Sequence, residues 1–229
     1  MTKASGKIKT HAKPIGRNGT VRLTVGDDGP KMDVVPVAYS VDKATIEAEV
    51  MAVFAQALSM EGQLPILPFT QNAEDDLDFT LHFPGREAKL DLMEMVFKEG
   101  TGSPYLSQEK IVYSRPFADQ VFDKIISKSR SYSNRPTGEK HLLLYTTHWR
   151  YTPSDVVLAL LSHKLNVTEH VFDAVMFLQR ITQDEGRLRF LWPDAPLVAE
   201  FDPANYDDHF VINLPPDGFE LRTHASPDS

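Results

Sequence analysis

The apolar positions of the chain fall into short runs that change period along its length. Residues 79–83 form an apolar run that breaks at Pro84-Gly85 and resumes over 89–97, a pattern that predicts two strands joined by a turn. Upstream, Ile46, Val50, Val53, Phe54 and Ala57 recur at helical spacing, which predicts a helix over 43–59 with Asp42 as its cap. A second helix is expected over 114–132, burying Ala118, Val121, Phe122, Ile125 and Ile126, with Pro116 in its first turn. Residues 141–147 are mostly apolar and bounded by turn signals, as in a strand covered on both faces. Thr152-Pro153-Ser154-Asp155 reads as a helix start with Thr152 as the cap, and that helix runs to about residue 165. Strands are expected at 172–178 and 187–192, paired across Asp184-Glu185-Gly186, with further short apolar pieces at 197–201 and 210–214. Near the N-terminus, residues 20–25 alternate and residues 31–37 return across a GDDGP turn, predicting a hairpin on the edge of a larger sheet.

The resulting order of helix, strand, strand, helix, strand, helix, strand, strand implies an α/β sheet sandwiched by helices, with at least one parallel crossover. Three segments follow: a basic flexible arm over 1–19, one α/β domain over 20–192, and an acidic, Pro-containing extension over 193–229.

Composition narrows the chemistry. There is no Cys, which excludes disulfides, thiolate catalysis and thiolate-bound metals. No apolar run approaches the ~20 residues of a membrane span, and no secretory signal is expected, so the reading is a cytoplasmic protein without a membrane partner. The net charge of −8 is uneven, since residues 1–22 carry six cations and no acid. Such an arm suits phosphates or an acidic partner, or is a solvated leader.

Acids gather where the strands begin. Glu74, Asp75, Asp76 and Asp78 precede residues 79–83, and the returning strand carries Asp91 and Glu94 among apolar neighbours. Carboxylates inside a core strand are costly unless paired. Either they meet a cation such as Lys89, Lys128 or Arg130, or they form a site. Glu47 and Glu49, early in the first helix, suit its dipole, and one of them is a further candidate for pointing at a nearby metal. Trp149 and Arg150, at the end of the strand over 141–147, are candidate ligand contacts or loop anchors, and Lys128 and Arg130 complete the candidate binding residues. His141, His148 and His163 share no ligand spacing. No nucleophile elbow surrounds Ser107, Ser114 or Ser162, and Gly100-Thr101-Gly102 lacks the third Gly of a dinucleotide loop.

The α–β–β–α–β order over residues 46–148, with acids at the start of one strand and inside the next, resembles the PD-(D/E)XK nuclease superfamily. The resemblance implies a restriction-endonuclease-like core: a mixed central sheet flanked by helices, here with an N-terminal hairpin and a C-terminal extension. It implies a Mg²⁺ site in which Asp78 (or Asp76) and Asp91 are the metal ligands and a Lys orients the attacking water. Met93 stands where that Lys belongs. Taking Glu94 as the acid instead puts Val96 there, and Lys89 shares the face of Asp91 on its other side. Members of the superfamily relocate this Lys, sometimes to the following helix, where Lys124 and Lys128 lie. The catalytic set is thus Asp78, Asp91, Glu94 and Lys89. With Met93 in place of Lys, the expectation is a degenerate nuclease-like module for binding or assembly; the alternative is a Mg²⁺-dependent nuclease acting on DNA or RNA. The partner is a protein or a nucleic acid, and the exposed edge of the N-terminal hairpin would serve a homodimer.

Overall fold

The computed structural model describes residues 17–26, 29–40, 42–62, 65–72, 77–98, 111–134, 138–193 and 201–213. Strands β1 (Arg17–Gly26) and β2 (Gly29–Ala38) form a separate two-stranded sheet. The expected hairpin is therefore present, but it does not extend the edge of the main sheet. The main sheet is six-stranded, in the order β3-β4-β5-β7-β8-β9. Its strands are β3 (Phe69–Gln71), β4 (Phe79–Phe83), β5 (Arg86–Glu94), β7 (Glu139–Tyr145), β8 (Ala174–Arg180) and β9 (Gly186–Trp192). A small ribbon pairs β6 (Ile111–Tyr113) with β10 (Phe210–Ile212).

The central pairs β5–β7 and β7–β8 are parallel, and the outer pairs are antiparallel. Helix α2 (Ser114–Tyr132) makes the first parallel crossover and α3 (Asp155–Val167) the second. Both helices pack on one face of the sheet, with Met93, Leu142, Leu144 and Phe177 beneath them. Helix α1 (Lys43–Gly62) covers the other face, laying Val50, Val53 and Phe54 on Leu90, Leu92, Leu143 and Leu178. Consecutive leucines of β7 thus face opposite layers, which is why that strand reads as one apolar run. The expected mixed sheet flanked by helices is the observed architecture.

Local chemistry accounts for the element ends. The Asp42 carboxylate accepts the Thr45 N–H at 2.8 Å and caps α1 as expected. At α3 the cap is Ser154, which accepts the Val157 N–H, and not Thr152. Thr152 is instead the residue that ends the short 3₁₀ turn Trp149–Tyr151, so the helix starts two residues later. Gly186 sits where a Cβ would stand 2.7 Å from Val53 and 2.8 Å from Leu178 side-chain carbons, so only a glycine lets α1 approach β9 this closely.

Two short strands have no counterpart among the sequence expectations. Residues 69–71 follow Pro65 and Pro68, and residues 111–113 lie directly before α2. Each is three residues long: β3 pairs with the next strand, β4, and β6 with the remote β10, as in the pairing of Val112 with Val211. Glu74, Asp75, Asp76, Gly100-Thr101-Gly102, Ser107 and most of the two terminal segments lie outside the described residues. No described helix is long and apolar enough to cross a membrane.

Candidate active site

The β4–β5 hairpin builds the site. Its two-residue turn, Pro84-Gly85, holds Gly85 at φ +78°, a left-handed conformation that glycine adopts at little cost. The turn pairs Phe83 with Arg86 and carries the register down to Phe79 opposite Leu90. One further step sets Asp78 opposite Asp91. Side chains of directly opposed residues share a sheet face, so both carboxyls point toward the α2 side. The Leu92 N–H donates to Asp78 Oδ2 at 2.8 Å and fixes that carboxyl beside its neighbour.

Burial pushes the Asp78 carboxyl up to about 6; the Leu92 amide opposes this, while a hydrogen bond with Asp91 and the Asp91 and Glu47 charges add to it. Two carboxyls within hydrogen-bonding reach and shielded from water require a proton or a cation between them. Asp91 is 2 % exposed.

Helix α2 supplies the cation. Lys124, Lys128 and Tyr132 recur every fourth residue and therefore lie along one stripe. Lys128 Nζ meets Asp91 Oδ2 at 2.5 Å, and the buried Tyr132 hydroxyl donates to the same oxygen at 2.7 Å. Lys124 stops one turn earlier, donating to the Val96 carbonyl at 3.2 Å. Burial lowers its pKa, with the Glu94 charge opposing and Lys98 reinforcing the shift.

Glu94 leaves β5 on the opposite face from Asp91, three residues away, and accepts the Thr147 hydroxyl. Buried Tyr145 next to it is held as a neutral phenol, first by desolvation and then by the charges of Glu94, Glu47 and Asp78. Glu47 is 8 % exposed and paired to Lys43 at 3.1 Å. The Lys43 pKa is raised by Glu47 and, more weakly, by Asp78 and Asp91. Glu49 turns elsewhere, to the buried Arg180 at 3.3 Å. Glu47, Asp78, Asp91 and Glu94 thus lie toward one end of the sheet.

The other predicted residues sit apart from the Asp78–Asp91 pair. Lys89 donates to the Thr80 hydroxyl at 2.9 Å, one pair away on the same face. Met93 is 6 % exposed and packed in the core under α2 and α3. Arg130 lies exposed in the last turn of α2. Arg150 is 1 % exposed, turned inward within the 3₁₀ segment, and Trp149 beside it is half-buried. His141 joins Glu139 at the far end of β7, at 2.7 Å.

One residue gains importance that the sequence reading did not give it: Tyr132, signalled by its place four residues after Lys128. Among the described residues no three His, Asp or Glu side chains are grouped closely enough to hold an ion together. The directly opposed set is the pair. A pair suffices for Mg²⁺, which keeps several waters and takes one or two carboxylates plus substrate phosphate oxygens.

No protein-family model matches the chain, and no curated protein matches it by sequence. A solved structure of Pyrococcus furiosus SfsA in complex with Ca²⁺ overlaps 76 % of this chain and 76 % of its own, at 13 % identity and a TM-score of 0.29. An overlap that loose carries no chemistry across.

Proposed function

We propose that this chain is a divalent-metal-dependent phosphodiesterase acting on nucleic acid, with Asp78 and Asp91 as metal ligands and Lys128 in the role of the strand lysine. The observation that carries this reading is the contact of Lys128 Nζ with Asp91 Oδ2 at 2.5 Å, because it supplies from α2 the amine that Met93 withholds from β5.

The residues present fit a hard cation: two opposed carboxyls in a half-dry setting, with oxygen donors only. When bound, Mg²⁺ would polarise the phosphoryl oxygens and make the attacking water more acidic. The chain's own residues do the rest. The Leu92 amide orients Asp78, and Tyr132 together with Lys128 fixes Asp91 Oδ2. Lys128, less than one-third exposed, brings positive charge to the place where a pentavalent phosphorus centre would gather negative charge. Lys43, on α1, adds a second cation at the same end. These local cations offset the acidic body, whose net charge of −8 would repel a long polyanion elsewhere.

One observation favours the second reading, a degenerate module that binds or assembles without cleaving. Asp91 Oδ2 already accepts from both Lys128 and Tyr132, as a structural buried ion pair would. The two readings separate in one experiment. Wild type and Asp91→Ala are titrated with Mn²⁺ by calorimetry and assayed on labelled single- and double-stranded DNA and RNA. Metal binding and cleavage, both lost in the folded variant, support the phosphodiesterase. If neither variant binds metal nor cleaves, the degenerate module stands.

A further inference from the structure

An open cleft of about 740 Å³ lies between the C-terminal end of α3, the loop that enters β8, and the end of β9. Its volume is in the range of small-molecule sites, ~300–1,000 Å³. Half-buried His170 and Trp192 form one wall, their rings 5.3 Å apart at 82°. Behind them His170 lies 6.3 Å from Phe172, and Phe172 lies 6.2 Å from Tyr132 in an edge-on contact. Tyr132 then donates to Asp91. A continuous row of rings therefore leads from the cleft to the carboxylate pair. Two carboxylates also line the cleft: Glu169, which is exposed, and Asp173, whose Oδ2 accepts the Lys140 N–H at 2.7 Å.

We infer that this cleft binds a nucleobase bearing an exocyclic amino group, stacked on the Trp192 ring and bordered by the nearly perpendicular His170 ring, with its amine donating to Glu169 and Asp173. The Trp192 ring offers a planar partner, and base–aromatic stacking contributes ~1–3 kcal/mol per base. The acids decide which base. Carboxylates accept hydrogen bonds and cannot donate them, so cytosine N4 or adenine N6 satisfies them, whereas uracil presents a carbonyl oxygen there. Burial keeps the His170 imidazole below its ordinary pKa, so near neutral pH the wall is an uncharged ring. A base held here must be unpaired, which makes the substrate single-stranded; that last step rests on the phosphodiesterase reading, whereas base binding itself does not.

The test uses tryptophan fluorescence without metal. The chain has two tryptophans, Trp149 and Trp192, so Trp149→Phe leaves Trp192 as the reporter and Trp192→Phe serves as the blank. AMP and CMP should quench the first variant saturably and the second not at all. UMP should bind about tenfold more weakly, the scale of one hydrogen bond. Glu169→Ala should bring CMP down toward UMP, and His170→Ala should weaken all three. Absence of saturable quenching overturns the inference, as does equal binding of UMP and CMP, or preference for the cationic ring tyramine over both nucleotides. Repeating the titration on Asp91→Asn separates the two readings. Quenching that persists where wild type cleaves nothing upholds the base site and removes the phosphodiesterase. Cleavage without quenching does the reverse.

Discussion

The two ends of the same pair of strands carry opposite kinds of electrostatics. At the N-terminal ends of β5 and β7, Glu139 has a cation and Glu87 has His82 at 3.0 Å. Arg86 pairs with Glu139, His141 meets Glu139 at 2.7 Å, and Arg86 lies 4.2 Å over the Phe83 ring. Burial works to raise the Glu139 carboxyl, yet hydrogen bonds from Arg86 and His141 bring it below its ordinary value. At the C-terminal end of β5, Asp78 and Asp91 face each other, Glu47 and Glu94 lie close by, and Asp78 is pushed up to about 6. The carboxylates of the first end are met by its own residues. The second holds more negative charge than its lysines answer, and such unanswered charge is where a protein keeps capacity for a ligand.

The largest expected effect tests that contrast at Asp91. Asp91→Asn preserves shape and removes the charge, and should cut metal-dependent cleavage of a labelled oligonucleotide by more than about 100-fold, beyond the usual effect of second-sphere losses. A rate within twofold of wild type would put the two ends on the same footing. Next is Lys128→Ala, which leaves Asp91 facing Asp78 without its nearest cation. We expect a loss of about 1–3 kcal/mol in urea unfolding at pH 8, partly restored by Mn²⁺.

The pH response comes third. The folded Asp78 carboxyl, at about 6, lies above its ordinary 3.8, so its protonated form stabilises fully below the lower value and this is lost as pH rises through the upper one. The melting temperature of the metal-free protein should therefore fall by several degrees between about pH 4 and pH 6. Asp78→Asn should flatten that fall, and an equal slope in the variant would remove Asp78 as its cause.

Tyr132→Phe deletes one donor to Asp91 and should weaken metal affinity by about tenfold, read by calorimetry. The smallest effect belongs to the satisfied end. Glu139→Gln should cost under about 1 kcal/mol by urea denaturation and leave cleavage unchanged, as partly exposed pairs do. A cleavage defect there would erase the distinction between the two ends.

Much of this fold can be read from periodicity. Alternating leucines on both faces mark β7 as central, and the spacing of Ile46, Val50 and Phe54 marks the buried side of α1. The β3 and β6 strands cannot be read this way. Each is three residues long, too short for a period to show, and β6 gains its hydrogen bonds from the remote β10. The hairpin of β1 and β2 is local and legible, but its separation from the main sheet is not, because edge pairing is decided by what else covers that edge.

The same division runs through the site. Asp78 and Asp91 are thirteen residues apart and meet because a Pro-Gly turn of fixed length sets the register between them, which the sequence alone determines. Lys128 and Tyr132 lie 37 and 41 residues from Asp91. The sequence places them on one stripe of a helix and offers Lys124 and Lys89 as rivals. Which amine reaches the carboxylate depends on how far α2 slides along the sheet, and that is set by Phe117, Val121 and Ile125 packing beneath it. A turn fixes geometry through bonds between neighbours, whereas a helix laid on a sheet is positioned by the sum of many small contacts. That sum exists only once the tertiary structure has formed.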